Sequence, residues 1–521
     1  RIMLPQYPND ADTVRLGGTQ MTIVDYDTAR AAVSVGRRSN GAHETGHQFF
    51  PGVRNKIVRA DEKWMEEGFA RWVEAKFAQL VYRGRWQNGE VYKEYLDEAL
   101  EEYFREHKTN PRPLVFPDRR PPRDLYDLHI YEKGIWIFHM LEAEVGEERF
   151  REVLRRIVKE EEGTLNSKKL QRVLQQATER DFRWFFDQWI YGEGYPEIKW
   201  SWRWNREKHQ TEIVLEQIQV GKHFQRKYRV PLEFGLVMKD GTMLVTDQRV
   251  MHWRKPNTKH PLVVGMNQPR PETVLIDPHR KVMAQYVYDG WSPTALMKLA
   301  LQRHDTIAQR EALAYLGIPK RKRLKRSALK TLTTIAGEKR FYPTVRADAL
   351  YYLARFPLHE VRGTLERALG EEIAVVRGQA LDSLRRLRSR RSHDLIAREF
   401  ETTPSYDAAI ALAATNPRKA LQRFSGEVLR TSYPMVRRAA ALYGLGALGD
   451  NFRARELLHQ FVTSNAQVLS EAALATVVAH KINGFSEHLR SVMVNRRDPR
   501  FWLRNAIIEY AGSRISGLPF E

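Results

Sequence analysis

The chain has 521 residues, 42% of them hydrophobic and 29% charged, the balance of a soluble globular protein too long for one hydrophobic core, so about three domains are expected. It has no cysteine, which excludes disulfides and thiolate metal ligands, and no apolar run long enough to span a membrane. The formal charge is +21, with basic clusters from Lys320 to Arg326 and from Arg385 to Arg391; these lack interleaved aromatics and match no nucleic-acid motif, so they read as solvated helix faces and no nucleic-acid partner is expected.

Residues 1 to about 197 alternate short strand signals with long helical ones. Met21 to Tyr26 reads as a strand. His43-Glu44-Thr45-Gly46-His47 then forms an H-E-x-x-H stretch. On a helix, positions i and i+4 share a face, so both imidazoles can reach one metal ion. Glu44 falls beside that metal, where a general base must stand. Trp64-Met65-Glu66-Glu67-Gly68-Phe69-Ala70 follows and offers a carboxylate as third ligand, at the head of another helix. Without cysteine, a zinc site has to use histidine and carboxylate, and this is such a set. From about 66 to 108 and from 131 to 160, apolar residues recur at helical spacing. The Pro-rich pieces at 110–113 and 121–122 separate these helices as loops.

The pattern changes at about 198. Trp200 to Trp204, Glu212 to Val220 and Pro231 to Met238 alternate with period two, and Lys239-Asp240-Gly241-Thr242 supplies a hairpin turn. Residues 198–290 are expected to form a small β-sandwich. Residues 291–521 read as helical throughout, and they repeat. Val345-Arg346-Ala347-Asp348-Ala349-Leu350 recurs as Val376-Arg377-Gly378-Gln379-Ala380-Leu381 and as Val436-Arg437-Arg438-Ala439-Ala440-Ala441. Tyr406 to Ala411 fills the gap between the last two, and Leu503 to Ala506 looks like a late copy. A period near thirty with small residues on a helix reads as an α-solenoid of HEAT-like repeats, a surface on which an unidentified protein partner could sit. The expected fold is multidomain α+β: a mostly helical, thermolysin-like catalytic domain over 1–197, the β-sandwich, and the solenoid.

With H-E-x-x-H and W-x-x-E-G-F-A together, residues 1 to about 290 resemble the aminopeptidase N family of zinc metallopeptidases. Tyr131-Glu132-Lys133-Gly134 resembles the family's Y-x-K-G motif, and Phe185 to Trp189 with Gly194-Tyr195-Pro196 resembles the stretch that closes its catalytic domain. The resemblance implies one Zn²⁺ per chain held by His43, His47 and Glu67. It implies Glu44 as general base, the Tyr131 hydroxyl as an oxyanion donor, and a peptide or protein as substrate. Glu74, two turns beyond Glu67, is a candidate to orient a ligand, though it reads equally well as a surface residue. Tyr126 is a candidate pocket residue, and the strand at Gly17-Gly18 is a candidate to pair with substrate backbone.

Two departures from the family pattern stand out. The family leaves eighteen residues between the second histidine and the ligand carboxylate. Here that count selects Glu66, while the Glu-Gly-Phe-Ala context selects Glu67. The family also has a G-x-M-E-N strand whose glutamate holds the substrate's free amino group. The matching place reads Gly17-Gly18-Thr19-Gln20-Met21, so Gln20 stands where that glutamate belongs. A neutral amide cannot pair with an ammonium. Three readings follow: an aminopeptidase N-like peptidase, a zinc hydrolase of the same fold that is an endopeptidase or takes blocked termini, or a non-enzymatic scaffold. The family's N-terminal β-domain is missing and the chain starts at Arg1, so it is expected to continue upstream, with any export signal there.

Overall fold

The computed structural model describes residues 11–16, 19–24, 40–51, 55–81, 90–115, 127–159, 162–221, 227–252, 258–289, 293–302, 304–317, 322–371, 373–449 and 451–494. Gly17, Gly18, Tyr126 and the late repeat copy at Leu503–Ala506 lie outside them. The chain divides into two compact units, residues 1–316 and 317–521.

In the first unit, strands β1 (Ala11–Leu16) and β2 (Thr19–Val24) pair antiparallel, with Arg15 opposite Gln20. Strand β2 runs beside helix α1 (Asn40–Phe49). Helix α2 (Trp64–Val81) packs on α1 and carries Glu66 and Glu67 in its first turn, where the helix dipole favours acids. Helix α3 (Glu90–Thr109) packs on α2 and on a π-helical turn at His129–Lys133, which leads directly into α4 (Gly134–Val145). The apolar face shared by these helices holds Trp64, Trp136 and Phe138, all fully buried, with Phe69 stacked on Phe50.

Two close approaches set how the helices cross. A Cβ on Gly46 of α1 would lie 2.9 Å from the Ala70 Cα of α2. A Cβ on Gly68 would lie 2.6 Å from Gly134 backbone, and one on Gly134 would lie 2.7 Å from Gly68 Cα. These glycines therefore admit backbone where any larger residue would push the helices apart.

Strands β3 (Glu197–Asn205) and β4 (Gln210–Gln217) form a hairpin, with alternate residues such as Ile213 and Leu215 buried. They sit inside a four-stranded sheet in which β7 (Lys259–Val264) flanks β4 and β9 (Gln285–Tyr288) pairs parallel with β3. A second sheet places β5 (Phe234–Val237) between β8 (Thr273–Ile276) and β6 (Met243–Val245). The Lys239–Thr242 turn joins β5 to β6, with Gly241 at φ 87° and the Thr242 amide donating to Asp240 Oδ1 at 2.9 Å. Helices at Pro293–Leu301 and Thr306–Leu316 belong to this unit. Ion pairs tie them in: Arg280 donates to Asp305 at 3.1 Å in the interior, and the partly exposed Arg310 reaches back to Asp97 of α3 at 2.7 Å.

The second unit is helical among its described residues. Helices at Pro343–Leu353, Ala374–Leu387, Tyr406–Thr415, Met435–Gly446 and Gln467–Ala479 each pack on the next, forming an inner layer. Helices at Leu358–Leu369, Arg390–Thr402, Pro417–Leu429 and Phe452–Val462 form an outer layer, joined to the inner one by short turns. Val345 and Val376 of the repeated motif are buried, as are Ala408 and Ala439, whereas Val436, the counterpart of the two valines in the third copy, is 69% exposed.

Candidate metal centre

Helix α1 turns His43 and His47 to one side, one helical turn apart. Their Nε2 atoms lie 3.2 Å from each other. Glu67 Oε2 lies 3.3 Å from each of them. Zinc bonds of about 2.0–2.1 Å in a tetrahedral shell place neighbouring donor atoms about 3.3–3.4 Å apart. The three atoms thus already stand at the edge length of a tetrahedral zinc site, and the donor set of two imidazoles and one carboxylate suits that ion. All three side chains are only partly buried, which leaves an open face for a fourth ligand.

Burial disfavours a charged His43, but the Glu67 and Glu74 carboxylates outweigh it and raise the imidazole to about 9. Burial likewise pushes Glu67 up, and the two histidines more than reverse that, bringing it to about 2. A cation bound by these donors needs the imidazoles neutral, so metal binding there would release protons.

Glu66, one residue earlier, points elsewhere: its carboxylate takes Lys63 Nζ at 2.5 Å. The register follows from packing. A helix turns about 100° per residue. With Gly68 pressed onto Gly134, Glu67 is the acid that reaches α1.

Behind the donors runs a chain of buried charges. Glu74 Oε2 stands 3.6 Å from His43 Nδ1 and accepts from Arg71 Nη1 at 3.0 Å. The other arm of Arg71, Nη2, donates to Glu132 Oε2 at 2.8 Å. Arg71, Glu74 and Glu132 are fully buried, so each charge depends on its partner. Glu74 is therefore an interior residue beside a metal-facing imidazole. Arg71 and Glu132 have no role in the sequence reading. Arg71 falls four residues after Glu67, but its pairing with Glu132 spans 61 residues and leaves no linear trace.

Tyr131 occupies the middle of the π-helical turn, next to Glu132. Such turns insert one extra residue and often re-aim a side chain at a functional site. Its ring lies nearly parallel to the His43 ring at 6.4 Å. Glu44 follows His43 on α1 and is partly exposed. Gln20 lies on β2, the strand that runs beside α1. Lys133 is buried, donates to the Gly192 carbonyl at 3.3 Å and lies over the Tyr103 ring. Burial and the nearby Arg112 charge bring it down to about 7.

A second trio, Glu106, Asp127 and His129, also gathers donor atoms. Its chemistry argues against a cation. Arg112 already takes both Asp127 oxygens, at 2.8 and 2.5 Å, and Asn110 takes Glu106 at 2.9 Å.

Residues 20–189 match the Peptidase family M1 domain model. The chain is 27% identical over 212 residues to a probable aminopeptidase 1 of Sulfurisphaera tokodaii, a stretch covering 40% of this chain and 26% of that protein. It is 24% identical over 163 residues to aminopeptidase M1-B of Oryza sativa, covering 30% of this chain and 18% of that one. The matched stretch thus spans about a quarter of these relatives' length or less. The crystal structure of Legionella pneumophila aminopeptidase A in complex with aspartic acid superposes with a TM-score of 0.56 at 15% identity, covering 91% of this chain and 57% of that one. At that identity the likeness is one of fold.

Proposed function

From a chain whose residues 20–189 belong to peptidase family M1, the aminopeptidase N family of metallopeptidases, we propose a zinc-dependent peptidase that acts on peptide or protein substrates. The observation that carries this reading is the trio of donor atoms from His43, His47 and Glu67 at 3.2–3.3 Å spacing, with the Tyr131 ring 6.4 Å from that of His43 and Glu44 following His43 on α1. Zinc held by His43, His47 and Glu67 would supply Lewis-acid chemistry at the scissile carbonyl. Glu44 would take a proton from the attacking water and later deliver it to the leaving amine. The Tyr131 hydroxyl would donate to the oxygen that becomes negative as the carbonyl is attacked. Glu74, anchored by Arg71, would hold the His43 ring with Nε2 toward His47 and Glu67. We read residues 1–197 as the thermolysin-like catalytic domain, 198–290 as a β-sandwich and 291–521 as a HEAT-like solenoid, whose first two helices, at 293–316, are drawn into the first compact unit.

Metal analysis with a panel of aminoacyl amides, N-blocked peptides and internally quenched peptides tests the reading. Zinc-dependent cleavage of any of these supports it. A zinc-loaded protein inert on all of them favours the scaffold reading. The Tyr131→Phe variant should lose roughly 10²–10³ in kcat, the usual cost of one oxyanion donor, with little change in zinc content. Unchanged kcat in that variant would remove Tyr131 from the mechanism.

A second reading rests on Gln20. Gln20 lies on β2, which flanks α1, at the place where the family pattern has a carboxylate. Charge-assisted bonds are worth about 1.5–3 kcal/mol, or roughly ten- to a hundredfold in kcat/KM. The wild type should therefore be weak on simple aminoacyl amides and tolerate N-blocked peptides. Gln20→Glu should raise kcat/KM on free-amine substrates alone. Brisk wild-type cleavage of free-amine substrates, with no gain from Gln20→Glu, would return the protein to plain aminopeptidase action.

A further inference from the structure

The charge of the chain is unevenly placed. Residues 317–521 hold 35 Lys and Arg against 19 Asp and Glu, a net +16 of the total +21. None of this is used by the metal centre, and within the helical unit it is sorted again.

Consecutive helices joined by short turns run antiparallel, so every second turn falls on the same edge of the stack. On one edge, the turn before helix Arg390–Thr402 and that helix's start carry Arg388, Arg390 and Arg391. The next turn on that edge leads into Pro417–Leu429, whose start carries Arg418 and Lys419. The two turns touch: His393 Nδ1 and Thr415 Oγ1 are 2.9 Å apart. Burial, then the nearby Lys419 charge, keeps His393 below its ordinary value. All five basic side chains are exposed, and none makes an ion pair among the described residues. Asp394, the nearest acid in sequence, is likewise unpaired among them. On the opposite edge, Glu371 stands before helix Ala374–Leu387, the turn at 403–405 holds no charged residue, and the turn at 430–434 carries Arg430 alone.

Local folding does not account for this sorting. Each turn joins a helix C-terminus to a helix N-terminus, so the two dipoles offset. Arg388 also caps its helix at φ 43°, a left-handed position that glycine or asparagine fills at lower cost. One helix further on, Phe452 starts Phe452–Val462 on this edge and is 75% exposed. Four of the five cations are arginines, whose planar fork suits phosphate oxygens. No aromatic ring stands between them for nucleic-acid bases to stack on, whereas a lone exposed aromatic beside basic residues suits the headgroup layer of a bilayer.

We propose that this edge, formed by Arg388, Arg390, Arg391, Arg418 and Lys419 with Phe452 alongside, docks the protein on an anionic phospholipid surface. The arginines contact headgroup phosphates and the Phe452 ring enters the interfacial layer. This holds whether or not the metal centre is a peptidase.

Co-sedimentation of the full chain with phosphatidylcholine vesicles, with and without one-third phosphatidylglycerol, tests it. Binding should need the anionic lipid and fade as NaCl rises from 0.1 to 0.5 M, because screening shortens the reach of each charge. Each basic residue near an anionic surface is worth about fivefold in partitioning, so changing all five to serine should cut binding by roughly a hundredfold or more. Changing Lys339, Arg340, Arg362, Arg398 and Arg430 to serine removes the same net charge elsewhere and should leave most binding intact. If the five-residue variant misfolds by circular dichroism, Arg418→Ser with Lys419→Ser should still lose at least tenfold. Phe452→Ser should weaken binding severalfold without changing its salt dependence. No binding to anionic vesicles, an equal loss in the control set, or displacement from vesicles by a short DNA duplex at equal phosphate concentration would overturn the proposal.

Discussion

Changing Glu44 to glutamine is expected to lower kcat by roughly 10²–10⁴, the range spanned by a lost general acid–base group, while zinc content stays near one per chain. The amide keeps the shape of the side chain and cannot take a proton. Glu44 lies outside the trio of converging donor atoms, so its loss leaves the metal's protein ligands in place. The measurement is steady-state turnover beside metal content on the same preparation. A Glu44→Gln protein that keeps both zinc and turnover would move the base to another group. One that loses zinc would make Glu44 a ligand.

The second large effect separates two neighbouring acids. Glu67→Ala should strip most of the zinc and, with it, the activity. It removes the one anionic donor and leaves two partly exposed imidazoles. Glu66→Ala should cost little zinc, because its carboxylate is spent on Lys63 at 2.5 Å. If Glu66→Ala empties the site and Glu67→Ala does not, the helix is out by one residue and the Gly68–Gly134 contact has been misjudged.

That contact explains why the site was partly legible in the sequence. His43 and His47 are four residues apart, and helix geometry alone brings them together. Glu67 is harder, since counting residues favours Glu66. The glycine that follows decides the matter only once Gly68 is seen against Gly134, a backbone approach that admits no Cβ. Gly46 against Ala70 does the same for the first motif. The glycines of all three motifs are thus the points where the helices meet. Arg71 and Glu132 were not legible, because a buried ion pair between distant segments leaves no periodicity. Glu74 was ambiguous for a related reason: a glutamate on a helix is usually solvated, and only the third dimension shows this one buried between His43 and Arg71.

Elsewhere the same division holds between local and non-local order. The alternation along β3 and β4 and the Lys239–Thr242 turn follow from residue pattern and turn chemistry. The parallel pairing of β9 with β3 does not, since it joins segments about eighty residues apart in sequence. The inner helices of the second unit were visible as repeated small and aliphatic residues, because each inner helix faces the next in the same way. The ion pairs from Arg280 to Asp305 and from Arg310 to Asp97, which draw the helices at 293–316 into the first unit, carry no repeat and were not visible.

The most direct measurement is a crystal structure of the protein with zinc, with anomalous data on both sides of the zinc edge. The account predicts one strong anomalous peak per chain, bonded to His43 Nε2, His47 Nε2 and a Glu67 carboxylate oxygen, with the Tyr131 ring on the open side. An empty trio in protein saturated with zinc would contradict it. So would a single peak at Glu106, Asp127 and His129.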